Sequence, residues 1–364
     1  MRRVAIIGLG AVTRNIHLPA YKSLASRMSV VGGCDPDPRA RELATGRGVP
    51  LVVAEPGELL ERTRPDVVSV CSPPHLHRAH LELALAAGCH VICEKPLATT
   101  LEDADAMVSV AERSGLRVIV NNQFPAMQIH QAARAMIGTP DFGRLLYLHG
   151  WHTNQPTEHT EAGWRGEMRQ RLGLEFGIHV LDLVRFFFAA TPSRITAHMP
   201  RPDPAVPWDA INVIAMDFGD GRAASVVLDR LSKGPERYLD FRLDGERAAV
   251  HTSIGGQVRA SIGMHTRERR PFAEVRVVGG GRAVLEQGSR SRLIASDPQN
   301  PFAPATARHI SAFLDALDNG TPVPASPRDN RESLRMVFAA YQSAELGRAV
   351  EMNTFAASAS ESRS

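Results

Sequence analysis

A sixfold rhythm in the first third of the chain constrains the fold more than any other feature. Short apolar, β-rich runs, "VAIIGL" (4–9), "SVVGGC" (29–34), "LVV" (51–53), "DVVSVCS" (66–72), "HVIC" (90–93) and "RVIVN" (117–121), alternate with turns and helical stretches. The clearest helical stretches are 76–87, closed by Gly88, and 101–114, closed by Gly115; each has glycine where a helix C-terminus favours a left-handed residue. The strands are continuously apolar rather than alternating, so both of their faces must be covered. This predicts a doubly wound α/β domain of the Rossmann type over residues 1–122, with a parallel sheet between layers of helices.

After residue 125 the rhythm changes. A helical pattern over 126–137 leads into alternating runs at 145–152, 211–218, 223–230, 238–245, 247–253 and 272–278, joined by turns such as "DFGDGR" and "LDGER". Alternation predicts a large, mostly antiparallel sheet with one face open, and helices are predicted over 304–318 and 329–348. Residues 123–352 are therefore expected to form a C-terminal α/β domain for substrate binding and oligomerisation, and 353–364 a disordered tail. An open sheet face usually needs a partner, so self-association through this sheet is expected.

Charge and cysteines narrow the partners and the compartment. The 42 basic and 39 acidic residues of the 364 nearly balance at +3, which suggests neither nucleic acid nor membrane as a partner. The basic run "RERR" (267–270) reads as a solvated loop or strand edge. Cys34, Cys71, Cys89 and Cys93 fit free thiols in a reducing compartment, and Cys89 and Cys93 lack a second pair for a zinc site. The opening "MRRVAIIGLGAV" is too short and glycine-punctuated for a signal peptide, and no run approaches the ~18 apolar residues of a spanning helix, so the cytoplasm is expected.

"GLGAVT" (8–13) follows the first strand and precedes a helix. Gly8 permits a tight turn, and Gly10 lets the backbone approach a pyrophosphate resting on a helix N-terminus. Thr13 stands where a third small residue is usual, a change that either loosens helix packing or adds a hydroxyl donor. Asp35 ends the second strand, 22 residues beyond Thr13, where a carboxylate accepts hydrogen bonds from an adenosine ribose. A carboxylate there repels a 2′-phosphate and favours NAD over NADP; Arg39 and Arg41 are close enough in sequence to rescue the phosphorylated cofactor.

Two further clusters carry chemistry. "CSPPHLHRAH" (71–80) and "CEKP" (93–96) end the fourth and fifth strands at the carboxyl edge, where open α/β sheets bind ligands. His75, His77 and His80 crowd the first of these turns but lack an Asp or Cys at metal-site spacing, so no metal is expected. A partly desolvated Lys95 beside a cationic nicotinamide would have a lowered pKa and could share a proton with a substrate hydroxyl; the alternative is a surface Glu94–Lys95 pair before Pro96. In "GLEFGIHVLDLVRFF" (173–187), a regular helix puts Glu175, His179 and Asp182 on one stripe. That stripe suits a general base oriented by a carboxylate, against the alternative of a core histidine in an amphipathic helix.

"VAIIGLGAVTRNIHLPAY", "DVVSVCSPPHLHRAHLELALAAGCHVICEKPL" and "GLEFGIHVLDLVRFF" together strongly resemble the glucose-fructose oxidoreductase, inositol dehydrogenase and MocA-like (Gfo/Idh/MocA) family of NAD(P)-dependent dehydrogenases. The likeness runs from residue 1 to about 190 and implies hydride transfer between nicotinamide C4 and a secondary alcohol of a sugar, polyol or related cyclic compound. It implies Lys95 at the reacting hydroxyl after a cis Lys95–Pro96 bond, His179 as the catalytic histidine, and Glu175, where the family has aspartate, as its orienting partner. The cofactor would meet Gly8, Gly10, Ala11, Val12, Thr13, Asp35, Ser72, Pro73, His77, Glu94, Lys95 and Gln123; Gln123 stands in "NNQF" where arginine is usual. Lys95, Trp164, Arg165, His179 and Asp182 would meet the substrate. Alternatives on the same fold are a glycosidase-like or epimerising enzyme using transient oxidation, and a non-catalytic NAD-sensing regulator; a metal-dependent hydrolase using the histidines is a further one.

Overall fold

The six runs form β1 (Arg2–Ile7), β2 (Met28–Cys34), β3 (Val52–Val53), β4 (Val67–Val70), β5 (His90–Cys93) and β6 (Val118–Val120) of one sheet, ordered β3-β2-β1-β4-β5-β6 with every pair parallel. The structure is a computed structural model that describes residues 1–154, 165–166, 168–202, 209–233, 238–255, 257–265 and 270–355. All four residues of β4 are buried, as a strand covered on both faces must be. The chain leaves β1 toward β2 and leaves β4 in the opposite direction toward β5. The strand order therefore reverses between β1 and β4, and a crevice opens beyond their carboxyl ends.

Five helices connect these strands: α1 (Leu18–Ser23), α2 (Pro38–Thr45), α3 (Pro56–Thr63), α4 (His77–Ala86) and α5 (Leu101–Ser114). Thr100 caps α5 by accepting from the Asp103 N–H, and Gly115 closes it at φ 67°, as the sequence predicts. Only the helical stretches of α4 and α5 are picked out above; α2 and α3 have eight residues each and are announced by little more than prolines at their first positions.

The second sheet has nine strands. They are β7 (Leu145–Thr153), β8 (Arg194–His198), β9 (Ile211–Asp217), β10 (Ala223–Asp229), β11 (Leu239–Gly245), β12 (Ala249–Ile254), β15 (Gly281–Gln287), β16 (Arg290–Asp297) and β17 (Val350–Glu351). Their order is β16-β15-β12-β11-β7-β10-β9-β8-β17, antiparallel throughout except where β10 runs parallel to β7. The run at 272–278 does not join it: β14 (Arg270–Val278) pairs only with β13 (Gln257–His265), as a separate two-stranded ribbon. Of the basic run at 267–270, Arg270 begins β14 and the other three residues lie outside the described ones.

Helices α6 (Gln128–Met136) and α7 (Ile178–Phe188) cover one face of the large sheet. The other face carries Tyr147, Trp151 and Val213, exposed by 39%, 38% and 42%, which is the open face the alternation predicts. Helix α8 (Phe302–Asn319) turns back onto the first sheet, where Ile310, Phe313 and Leu314 pack with Val4, Ile6 and Ile92. Helix α9 (Pro327–Leu346), capped by Ser326, packs on α5 and β8. The first three residues of the predicted tail are placed: Thr354 N–H donates to the Glu351 carbonyl, and Phe355 is buried with the core while its carbonyl accepts from Arg335; residues 356–364 lie outside the described ones. Among the described residues no helix is long and apolar enough to cross a membrane. The four cysteines are free; Cys34, Cys89 and Cys93 are buried, and burial pushes the Cys34 thiol up to about 12.

Candidate active site

The crevice between β1 and β4 is built on one close approach. Gly8 has φ 94°, and a Cβ there would stand 2.7 Å from the backbone of Cys71 and Ser72, so the turns after β1 and β4 meet without a side chain between them. A Cβ on Gly10 would meet nothing within 4 Å, because that residue faces open space. That space is a cavity of about 470 Å³ lined by Gly8, Gly10, Ala11, Val12 and Asp35 on one side. Ser72, Pro73, Glu94, Lys95, Arg165 and Glu175 line it on the others. Asp35 steadies the loop as well as facing the cavity: its carboxylate accepts from the backbone N–H of Leu9 (2.8 Å) and of Asp37 (2.9 Å). The residues fit a dinucleotide: a bare backbone for the pyrophosphate and a carboxylate at the ribose end.

Three residues expected at the cofactor are elsewhere. Thr13 is fully buried at the start of a π-helical turn (Thr13–His17), and its hydroxyl donates to the Gly8 carbonyl (2.6 Å), so it closes the glycine turn from behind. His77 is equally buried, with Nε2 at 2.9 Å from the Ser72 carbonyl and Nδ1 at 3.0 Å from that of Pro96. It clasps the two turns together, and burial holds its pKa below the usual value. Gln123 is buried beyond β6 and does not line the cavity. His80 does line it, with Nδ1 2.8 Å from the Ser72 hydroxyl, and among the described residues no three His, Cys, Asp or Glu groups are placed to hold a metal.

Glu94 and Lys95 are not a surface pair. Glu94 Oε1 accepts from Asn121 Nδ2 (2.6 Å) and meets His17 Nε2 at 2.7 Å, while Oε2 accepts from the Lys95 N–H (3.2 Å). Burial alone would raise its pKa, but the His17 and Asn121 hydrogen bonds outweigh that and keep it below the usual range. The carboxylate thus locks the end of β5 to β6 and to the π turn. The Lys95–Pro96 bond is cis, and Lys95 Nζ donates to the Glu175 carbonyl oxygen (2.8 Å). Burial lowers the Lys95 pKa, with Glu175 and Glu94 pulling the other way and Arg165 adding to the decrease.

The Glu175/His179/Asp182 stripe does not exist as one unit. Residues Gly173–Gly177 form a second π turn ahead of α7, and Glu175, His179 and Asp182 each take different partners. The Glu175 carboxylate takes Arg165 Nε on Oε1 (2.6 Å) and Arg171 Nε on Oε2 (2.6 Å), with Arg230 Nη1 4.0 Å away. Burial opposes ionisation of Glu175, yet these arginines and Lys95 hold its pKa below the usual range. His179 pairs through Nδ1 with Asn122 Oδ1 and stacks flat on Phe124, centroids 4.1 Å apart at 7°. Burial first, then Lys95 and His152, press its pKa well below that of a free histidine. Asp182 Oδ1 accepts from the Ser333 hydroxyl (2.6 Å) on α9 and does not line the cleft; burial pushes its carboxyl up to about 6. Trp164 lies outside the described residues.

Sequence reasoning also missed residues. Asn122 stands beside Gln123 in the same "NNQF" and carried the only available signal, its place at the carboxyl edge of β6. His152, near the end of β7, sits between Phe176 (5.1 Å) and Tyr238 (4.8 Å), neither ring nitrogen has a side-chain hydrogen-bond partner among the described residues, and burial together with Arg230 and Lys95 drives its pKa to about 3. Arg171 and Arg230, both fully buried, had no legible pattern at all.

Comparison with known proteins bears on this geometry. Residues 2–122 match the family described as "Oxidoreductase family, NAD-binding Rossmann fold", and residues 130–251 match the "GFO/IDH/MocA C-terminal domain". The chain is 28% identical to a D-apiose dehydrogenase of Paraburkholderia graminis, over 98% of this chain and 91% of the relative. It is 25% identical to a 1,5-anhydro-D-fructose reductase of Ensifer adhaerens, over 97% and 99%. Among solved structures, an oxidoreductase from Agrobacterium radiobacter in complex with NAD+, L-tartaric acid and magnesium superposes with a TM-score of 0.81 at 21% identity, over 97% of this chain and 98% of that one.

Proposed function

The chain belongs to the Gfo/Idh/MocA oxidoreductase family, and from that premise we propose that it transfers hydride between nicotinamide C4 and a secondary alcohol of a sugar, polyol or related cyclic compound. The observation that carries this reading is the aim of Lys95 Nζ, fixed by the Glu175 carbonyl at the mouth of a cleft whose far end is Gly8, Gly10 and Asp35. Bound NAD supplies the hydride acceptor. Gly10 would leave room for its pyrophosphate, and the Asp35 carboxylate would accept from the ribose hydroxyls and disfavour a 2′-phosphate.

Lys95 donates to the substrate oxygen as negative charge develops there, and its ammonium is worth more in a partly desolvated cleft than in water. Asn122 offers a carbonyl oxygen to His179 Nδ1, so Nδ1 carries the proton and Nε2 is left bare to take the hydroxyl proton. Glu175 acts one step back: it gathers Arg165 and Arg171 and offers its carbonyl to Lys95. Arg165, which lines the cleft, and Trp164 beside it in sequence would hold other hydroxyls of the substrate. In the reducing direction the same groups run with proton flow reversed. Exposed Tyr147, Trp151 and Val213 support self-association through the open sheet, as a homodimer or homotetramer; unpaired cysteines suit a reducing, cytoplasmic compartment.

The direct test follows NADH absorbance with a panel of sugars, inositols and sugar acids. A substrate that is converted with no net NADH would replace this reading with the epimerising or glycosidase-like one. Replacing Asp35 with Ala removes a charged acceptor worth about 1.5–3 kcal/mol, so NAD should bind roughly ten- to a hundredfold more weakly. NADP affinity should fall less, and an equal loss for both cofactors would place the ribose elsewhere.

The pH profile follows from two lowered pKa values. His179 must be neutral to accept a proton, so oxidation should stay at full kcat/KM through neutral pH and fall only as pH drops through a value well below that of a free histidine. Lys95 must be charged, so the alkaline limb should lie below the ordinary lysine range. An acid limb near the ordinary histidine value of 6.5 would remove His179 from the base role.

A further inference from the structure

A second cavity, of about 800 Å³, lies where α6, α7 and α8 meet the loop before α9, and it shares no lining residue with the cofactor cleft. We infer that it binds a small oxyanion, a metabolite bearing a carboxylate or a phosphate, between the guanidiniums of Arg185 and Arg308 and the side-chain amide of Asn122. Both arginines are held in place before any ligand arrives. Arg185 donates from Nε to Thr191 Oγ1 (3.2 Å) and from Nη1 to the Asp329 carbonyl (2.7 Å) and Ser333 Oγ (3.0 Å). Arg308 donates from Nε to the Ala126 carbonyl (2.7 Å) and from Nη2 to Asp297 (2.9 Å). Among the described residues, Arg185 Nη2 and Arg308 Nη1 make no hydrogen bond. Two fixed guanidiniums with spare donors recognise an oxyanion at small entropic cost.

The carboxylates that share the lining are already engaged. Asp182 accepts from Ser333 and lies 3.9 Å from Arg185 Nη1, and Asp329 closes the capping box of α9 on Ser326. Asn122 supplies an independent observation. It is 1% exposed, it lines this cavity, and among the described residues its buried Nδ2 has no hydrogen-bond partner. A buried amide donor left unpaired is costly, and an oxyanion in the cavity would satisfy it.

The site would also speak to the chemistry. The oxygen of the same Asn122 amide accepts from His179 Nδ1, so an acceptor drawn to Nδ2 polarises the amide and strengthens its hold on the imidazole. The titratable groups that act on His179, Lys95 beyond β5 and His152 on β7, do not line this cavity and are untouched by the ligand. An occupied cavity should therefore raise the pH at which His179 gains its proton. This coupling rests on His179 being the base of the proposed reaction; the binding does not.

The test is titration calorimetry on the NAD-saturated full chain, with inorganic phosphate in one arm and citrate in the other. NAD keeps either anion off the Gly8–Gly10 turn. One-site binding in the phosphate arm alone assigns a phosphate source and in the citrate arm alone a carboxylate source; binding in both supports a general oxyanion site, and binding in neither overturns the proposal. Arg308→Gln should weaken binding at least tenfold, and Ala312→Phe, which narrows the cavity from α8, should do the same while turnover without ligand stays unchanged. Binding that survives both variants, or that is lost in Lys95→Met, places the anion elsewhere and overturns the site. With binding established, the acid limb of kcat/KM should move up with ligand in the wild type and stay fixed in Ala312→Phe; an unmoved limb in the wild type overturns the coupling. Calorimetry reads the site whether or not a sugar is oxidised, so its failure and that of the proposed reaction are distinguishable.

Discussion

Replacing Lys95 with Met should cut turnover by about 10³-fold, the scale on which a preorganised donor to a developing oxyanion acts, while leaving NAD affinity near that of the wild type. The side chain reaches away from the cofactor turn, toward the Glu175 carbonyl at 2.8 Å, and the backbone of residues 94–96 is held independently by Glu94 through His17 and Asn121. Methionine matches the length and apolar stem of lysine and removes only the charge and the donors. The loss should therefore fall on kcat, with calorimetry for NAD and thermal unfolding close to wild type. Arg should not rescue it, because a guanidinium at the end of the same stem cannot place a donor where the single ammonium sat. Turnover within tenfold of the wild type would return Lys95 to a structural ion pair and with it the central role proposed for the β5 edge.

The cofactor half of the site was legible because each of its signals is local. A glycine that must be bare, an aspartate at a strand end and a lysine after an apolar run each line the cleft where the sequence puts them, once a parallel sheet fixes which edge they share. The histidine half depends on two things the sequence hides. One is the π turn at Gly173–Gly177: a single wide turn breaks the i, i+4, i+7 arithmetic, and the same device at Thr13–His17 buries Thr13 beneath the glycine turn. The other is partners from distant elements, such as Asn122 for His179, Ser333 for Asp182 and Arg230 near Glu175. Similar physics explains the strands that were missed. "RITAH" alternates but spans only five residues, too few to stand out, and "RSRLIASD" carries two arginines on an edge strand and lacks the alternation of a half-buried central strand. The run at 272–278 does alternate, and alternation alone does not tell a sheet strand from one arm of a ribbon.

Glu175→Gln should separate stability from catalysis at the point where the chain departs from the aspartate its resemblance implies. The carboxylate is one-tenth exposed and faces Arg165 and Arg171 at 2.6 Å each with Arg230 at 4.0 Å, all beside Lys95. Glutamine keeps the shape but leaves these cations without their shared anion, and breaking a buried pair in this way costs about 3–5 kcal/mol, seen as a lower denaturant midpoint with unchanged slope. Glu175→Asp keeps the charge but shortens the reach, so it should lose less stability than Gln. The kinetic signature is on the lysine side. Glu175 raises the Lys95 pKa, so its removal should move the alkaline limb of kcat/KM down, while the acid limb set by His179 and Asn122 stays nearly fixed. A shifted acid limb with unchanged stability would mean that Glu175 orients His179 after all, and that Asn122 is only its neighbour.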